Sequence, residues 1–339
     1  MNPIQSLFEW LAWLLAGLFS TGGSKTPGAN AQQLVRARTM TRFDHDPMQA
    51  SISADAIIAA QFDLVFLNWW QFDPGTLRRI VAERRKRGKL TGFYVDRHVV
   101  RRDDSGLWGR SIGGVTLDET ALQKGVFLRA YDTFGRAFIT NADHPVSDDI
   151  ARFMLERIQA FDPDAVFYDD LGIHWVLTES GKTPHPDAVR RNIRALKRDR
   201  AIFSGLMPNA VLVVNTDWAS WAVTFSSQRG TQVNVGALGL IRDLTRLTFA
   251  AEGFVRESVY WNHGQPDNNP PRFAAETRWF AHAMRVARGK WFTNLDYPAT
   301  EAQARQVAFD LARLGPYNAL GLARGVGLGL AWFVPFGED

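Results

Sequence analysis

The sequence predicts an α/β fold, a parallel (β/α)₈ barrel of the triosephosphate isomerase type, and three observations carry the prediction. Short apolar runs rich in β-branched and aromatic residues recur along the chain; amphipathic helical segments separate most of them; and nearly every run ends in a polar or acidic residue. Strand, helix, strand at this spacing implies right-handed parallel crossovers. In a closed parallel barrel, the C-terminal strand ends surround one mouth, so residues distant in sequence become neighbours.

Composition bounds the alternatives. The chain has 339 residues, 46% of them hydrophobic, enough for one large core. Cysteine is absent, which excludes a disulfide framework, a thiolate metal site and a cysteine nucleophile. The net charge of +4 comes mostly from basic residues interleaved with acids. The densest run, Arg84 to Arg87 with Lys89 beyond, reads as a solvated helix end, and no nucleic-acid partner is expected. Trp 12, Phe 23 and Tyr 6 are more telling, because tryptophans in loops suit stacking on sugars.

Residues 1–31 form an apolar N-terminal helix followed by a linker. The apolar part, Ile4 to Phe19, is short for a membrane span and has no Lys or Arg before it. It is a signal, an anchor or a docking helix, so residues 1–20 are a candidate contact with a membrane or a protein. Residues 32–339 form the barrel.

The first strand spans Leu34 to Phe43 and runs into Asp44-His45-Asp46-Pro47. Phe62 to Leu67 is the second, followed by Asn68, Trp69 and Trp70; a helix from Pro74 to Arg87 ends at Gly88. Leu90 to Val95, containing Tyr94, is the third and ends in Asp96-Arg97-His98. Val99 to Asn141 breaks the rhythm as an inserted hairpin. A helix from Ser147 to Ala160 and an Asp-Pro turn lead to the fourth strand, which stops on Asp169 and Asp170. A basic helix, Pro186 to Ser204, precedes the fifth, which ends in Asn215 with Asp217 and Trp218 beyond. The sixth, Gly253 to Arg256, ends in Glu257, with Trp261 following. A helix from Arg272 to Arg288 leads to the seventh, ending in Asp296 and Tyr297. A last helix, Thr300 to Leu314, precedes a glycine-rich eighth strand within Asn318 to Phe336.

A single strand-terminal aspartate is usually a turn former or a helix cap. Polar ends on nearly every strand point instead to a shared site. Two carboxylates facing each other across a mouth lined with Asn, Tyr and Trp suit glycoside hydrolysis, in which one acid protonates the leaving oxygen and the other acts as nucleophile or activates water. Asp170 and Glu257 are the expected pair. Strand alternation separates the neighbours Asp169 and Asp170; the loop-proximal Asp170 is assigned to the mouth and Asp169 to a supporting place. Asp44, Asn68, Trp69, Trp70, Tyr94, Asp96, Asp169, Asn215, Trp218, Trp261, Asp296 and Tyr297 are the expected substrate-binding residues. No cofactor or metal is expected: the histidines lack metal spacing, there is no P-loop lysine, and no Gly-x-Ser-x-Gly elbow occurs.

The segments FDLVFLNWW, GKLTGFYVD, DAVFYDDLG, VLVVNTDW, GFVRES and GKWFTNLDY, taken in order over residues 60 to 300, resemble the barrel glycoside hydrolases related to the endo-α-1,4-polygalactosaminidase family. That family has an aspartate motif on strand four, an Asn on strand five, a Glu on strand six and an Asp-Tyr on strand seven. The resemblance implies an endo-acting enzyme that is secreted, periplasmic or held at the cell surface and cuts an amino-sugar polysaccharide, with Asp170 and Glu257 as its acids. Strand three departs from the family pattern, ending in Asp96-Arg97-His98 rather than a Gly-Glu type. The alternative reading is a catalytically silent glycan-binding or structural barrel, docked into a larger assembly through its N-terminal helix.

Overall fold

A computed structural model describes residues 28–42, 52–102, 106–131, 137–169, 186–215, 251–257, 261–262, 265–266, 290–298, 300–314 and 320–321. Eight parallel strands form one sheet: β1 (Thr39–Arg42), β2 (Leu64–Leu67), β3 (Leu90–Val95), β4 (Ala165–Tyr168), β5 (Val211–Asn215), β6 (Gly253–Glu257), β7 (Trp291–Leu295) and β8 (Leu320–Gly321). Their order is β7-β6-β5-β4-β3-β2-β1-β8. The seam between β7 and β8 is drawn together by the Asp296 N–H, which donates to the Gly321 carbonyl at 3.1 Å, and by Asn294, whose Oδ1 accepts the Gly321 N–H at 3.0 Å. A Cβ at position 321 would lie 1.9 Å from the Asn294 carbonyl oxygen, so only glycine fits this seam.

Alternation along each strand sorts side chains into two cores. Leu64, Phe66, Leu90, Tyr94, Ala165, Phe167, Val213, Val255 and Leu295 fill the barrel. Val65, Phe93, Val95, Val166, Tyr168, Leu212, Val214 and Phe254 face the helices. The helices are α1 (Ala29–Arg36), which packs on the inner core, and, on the outer face, α2 (Ala54–Ala59), α3 (Pro74–Lys86), α4 (Val146–Gln159), α5 (Pro186–Leu206) and α6 (Glu301–Leu314). Asp73 caps α3, its Oδ1 accepting the Gly75 and Thr76 N–H groups at 2.9 and 3.0 Å, with Pro74 in the first turn.

The first strand is shorter than the sequence suggests. Leu34 to Arg36 are helical, and β1 begins at Thr39. The reason is packing: fully buried Leu34 reaches into the barrel, where a Cβ on Gly253 would stand 3.2 Å from Leu34 Cδ2 and 3.0 Å from both Trp291 and Val213 side-chain carbons. Helix α1 thus closes the N-terminal end, and the side chain that Gly253 lacks makes room for it.

One device recurs at that end. An acid immediately before each even-numbered strand from β2 to β6 accepts a backbone N–H from the odd-numbered strand before it. Asp63 takes the Thr39 N–H at 3.1 Å, Asp164 the Thr91 N–H at 3.0 Å, and Glu252 the Leu212 N–H at 2.8 Å. Each acid is also paired with a base, Lys89, Arg85 and Arg200 respectively. These contacts fix strand register at the end of the barrel associated with stability.

The solvated helix end expected at Arg84 to Arg87 is overturned at Arg84. That side chain is fully buried and donates to the carbonyls of Ile57, Ala60 and Phe62 at 3.0, 3.0 and 2.7 Å, and from Nε to Thr91 Oγ1 at 3.1 Å. The C-terminal carbonyls of short α2 need donors, and Arg84 supplies them. Burial pulls its guanidinium down to about 10, so it stays charged at neutral pH. Arg85 binds the turn before β4, donating to Asp162 Oδ2 at 2.6 Å and to the Asp162 carbonyl at 2.6 Å, where Asp162 adopts φ 52°.

The insertion after β3 contains the expected hairpin, Phe127–Tyr131 with Ala137–Thr140. Val99–Arg101 extends it to a three-stranded antiparallel sheet. Phe138 stacks between Phe127 and Trp108, with centroids 5.1 and 5.3 Å away. The helix expected over Arg272 to Arg288, most of the eighth strand's glycine-rich run and the apolar segment within residues 1–27 lie outside the described residues. Among the described residues, no helix is long and apolar enough to cross a membrane.

Candidate active site

Strand β4 brings Phe167 into the barrel, turns Tyr168 out to the helices, and so aims the next residue, Asp169, inward. The Asp169 carboxylate is 5% exposed and held from several sides. Its Oδ1 accepts Asn215 Nδ2 at 2.8 Å, and its Oδ2 accepts the Tyr94 hydroxyl at 2.9 Å. Arg42 Nη2 lies 3.4 Å from Oδ2. Burial, with Asp169 beside it, pushes the Tyr94 phenol well above its ordinary 10, which keeps its proton available for this bond.

Arg42 is the residue that sequence reasoning missed. It follows inward-facing Met40 by two positions on β1, and its guanidinium lies 4.7 Å from the Tyr94 ring centroid and 4.9 Å from that of Phe167. A cation on the inward register of an otherwise buried strand was the available signal.

Asp96 is buried at the end of β3; its Oδ1 accepts the Val99 N–H at 2.9 Å, and its Oδ2 lies 3.7 Å from Arg101 Nη2. Arg97 turns the other way, binding Asp199 of α5 and Ser147 of α4. His98 is 1% exposed, and neither ring nitrogen has a hydrogen-bond partner among the described residues. Burial and Arg97 pull its imidazole well below 6.5, against an opposing pull from Asp169.

Asn68 is buried after β2, and Trp69 and Trp70, partly buried, meet edge to face at 5.1 Å. Asn215 closes β5 and pairs in register with Val255 of β6. Glu257 is the last residue of β6, opposite Leu295, two positions beyond inward-facing Val255. Asp296 is fully buried but engages Asn294 Nδ2 at 2.5 Å in the β7/β8 seam. Tyr297 packs against the inner core. Trp261 lies in a two-residue strand paired with Gln265–Pro266. Asp44, Asp170 and Trp218 lie outside the described residues. The structure thus gathers Tyr94, Asp169 and Asn215 with Arg42. It places Asp296 in the β7/β8 seam.

Fold and site together define a parallel (β/α) barrel whose mouth is built around a clamped carboxylate. No family model matches the sequence, and no curated protein matches it. The glycoside hydrolase domain of PelA from Pseudomonas aeruginosa is similar in structure, with TM-score 0.56 and 16% identity over 85% of this chain and 95% of that one. Ega3 of Aspergillus fumigatus, solved in complex with galactosamine, gives TM-score 0.52 and 10% identity over 89% of this chain and 95% of that one. At these identities the likeness shows a shared barrel fold.

Proposed function

We propose that the chain is a glycoside hydrolase acting on a polysaccharide that contains amino sugars, by a two-carboxylate mechanism. The observation that carries the reading is the clamp on Asp169 at the C-terminal end of β4. A carboxylate that accepts from Asn215 and Tyr94 beside an arginine is held in one orientation at the barrel's C-terminal end. That placement suits attack on an anomeric carbon or activation of water; Glu257, ending β6, then takes the complementary role of protonating the leaving oxygen. In this reading Asp169 holds the place that strand spacing gave to Asp170.

The fold shared with the PelA hydrolase domain and with galactosamine-bound Ega3 supports the choice of an amino-sugar polymer. In this reading Asp96 offers an acceptor for an ammonium group, and Asn68, Trp69, Trp70, Asn215 and Tyr297 line the sugar path. Endo-cleavage and a secreted, periplasmic or cell-surface location belong to the same proposal, with residues 1–31 as its signal, anchor or docking segment.

A panel of polysaccharides that includes α-1,4-linked galactosamine polymers, assayed for new reducing ends, tests the reading. The expected result is turnover with oligosaccharide products. Retention on a glycan column without any product would instead mark a binding barrel.

A further inference from the structure

We infer that His98 is a sugar-binding residue of the same subsite as Asp169, hydrogen-bonding substrate hydroxyl groups through its ring nitrogens. This rests on the hydrolase reading above and adds to it a specificity residue on the one strand end that departs from the family pattern.

The argument begins with how firmly the residue is placed. Its carbonyl accepts the Thr140 N–H at 2.9 Å, and the carbonyl of Arg97 accepts Thr140 Oγ1 at 2.7 Å. Arg97 is itself locked outward by Asp199 and Ser147. The accessory sheet and two helices therefore hold the backbone of His98 at the end of β3. A buried side chain on a backbone so firmly held, with both ring nitrogens unpartnered among the described residues, needs an explanation, because buried polar groups in native proteins nearly always have partners.

Its neighbourhood supplies the explanation. β3 and β4 are neighbours, Val95 lying opposite Tyr168 and its carbonyl accepting the Asp169 N–H at 2.9 Å, so the segment carrying His98 leaves β3 beside Asp169, whose charge also acts on the imidazole. Asn215 adds a second orphan beside that carboxylate: its Nδ2 binds Asp169, while its Oδ1, on a side chain 2% exposed, has no partner among the described residues. Unused hydrogen-bonding capacity thus flanks Asp169 on both the β3 and the β5 side. A neutral imidazole offers one donor and one acceptor, the combination a sugar hydroxyl needs. Both side chains are buried, Asp169 5% exposed and His98 1%.

The test uses the full chain with galactosamine and galactose as probes, followed by NMR. His98→Phe and His98→Leu remove the orphaned nitrogens while keeping an apolar filling. The expected result is an unchanged or raised melting temperature together with sugar binding weakened about tenfold or more, since a site built to bond a hydroxyl loses that bond. His98→Gln, which keeps a donor and an acceptor, should recover part of the affinity. In the wild type, sugar should shift the ring ¹⁵N signals of His98. Lowered melting temperatures with unchanged affinity, or ring signals that stay fixed at saturating sugar, would overturn the assignment. Wild-type protein that binds neither sugar would overturn the glycan reading itself and this assignment with it.

Discussion

The hydroxyl of Tyr94 donates to Oδ2 of Asp169 at 2.9 Å, joining the C-terminal end of β3 to that of β4 inside the barrel. Both rings that Arg42 lies over, Tyr94 and Phe167, come from these same two strands. The cation, the phenol and the carboxylate therefore form one unit, and a change in any of them is felt at Asp169.

Tyr94→Phe keeps the ring under Arg42 and removes only the donor. A hydrogen bond to a charged group contributes about 1.5–3 kcal/mol, so turnover should fall by roughly ten- to a hundredfold while the fold persists. Steady-state kinetics with circular dichroism of the variant checks this.

Arg84 should be the most costly surface-looking residue to change. Arg84→Met leaves the carbonyls of Ile57, Ala60 and Phe62 without their donor. Each unsatisfied buried group costs about 1–3 kcal/mol, so a loss of about 3 kcal/mol or more is expected in urea unfolding. Removing the neighbouring exposed pair Lys86–Glu83 should leave the urea midpoint essentially unchanged.

The buried pair Arg97–Asp199 behaves differently. Burial pushes the Asp199 carboxyl up, and Arg97 pulls it back. Asp199→Asn strands a buried guanidinium and should destabilise by about 3–5 kcal/mol, whereas the double change Arg97→Met with Asp199→Leu should recover most of that loss. A double-mutant cycle on melting curves measures the coupling.

Stability should also depend on His98 through pH. Burial, then Arg97, holds its imidazole well below 6.5 in the folded protein. Below about pH 6.5 the unfolded chain therefore binds a proton that the folded chain does not; this contribution is full above 6.5 and is lost as pH falls toward the folded-state value. Between about pH 8 and pH 5.5 the wild type should therefore lose more stability than His98→Phe, read as a larger fall in melting temperature.

The barrel was legible because its strands are apolar runs with polar ends, and Tyr94, Asp169 and Asn215 stand at those ends or on the run before them. The choice between Asp169 and Asp170 was harder, because it turns on a single position. Tyr168, as apolar as an inward residue, packs outward beneath α4 and α5, and that parity sends Asp169 inward. Arg42 and Arg84 were hidden for a related reason: an arginine in a sequence looks like solvent-facing charge until the rings or carbonyls around it are known. Leu34 to Arg36, the end of α1, looked like strand because a run of a few residues fits either period, and the space beside Gly253 that draws Leu34 in depends on a strand more than two hundred residues away.

The most direct test of the central claim is hydrolysis of a galactosamine polymer by Asp169→Asn, Asp170→Asn and Glu257→Gln beside the wild type, with sugar binding measured in parallel. The account predicts that Asp169→Asn and Glu257→Gln lose at least about a hundredfold in turnover while still folding and binding glycan, and that Asp170→Asn stays within about tenfold of wild type. Undiminished turnover in Glu257→Gln or Asp169→Asn would contradict it.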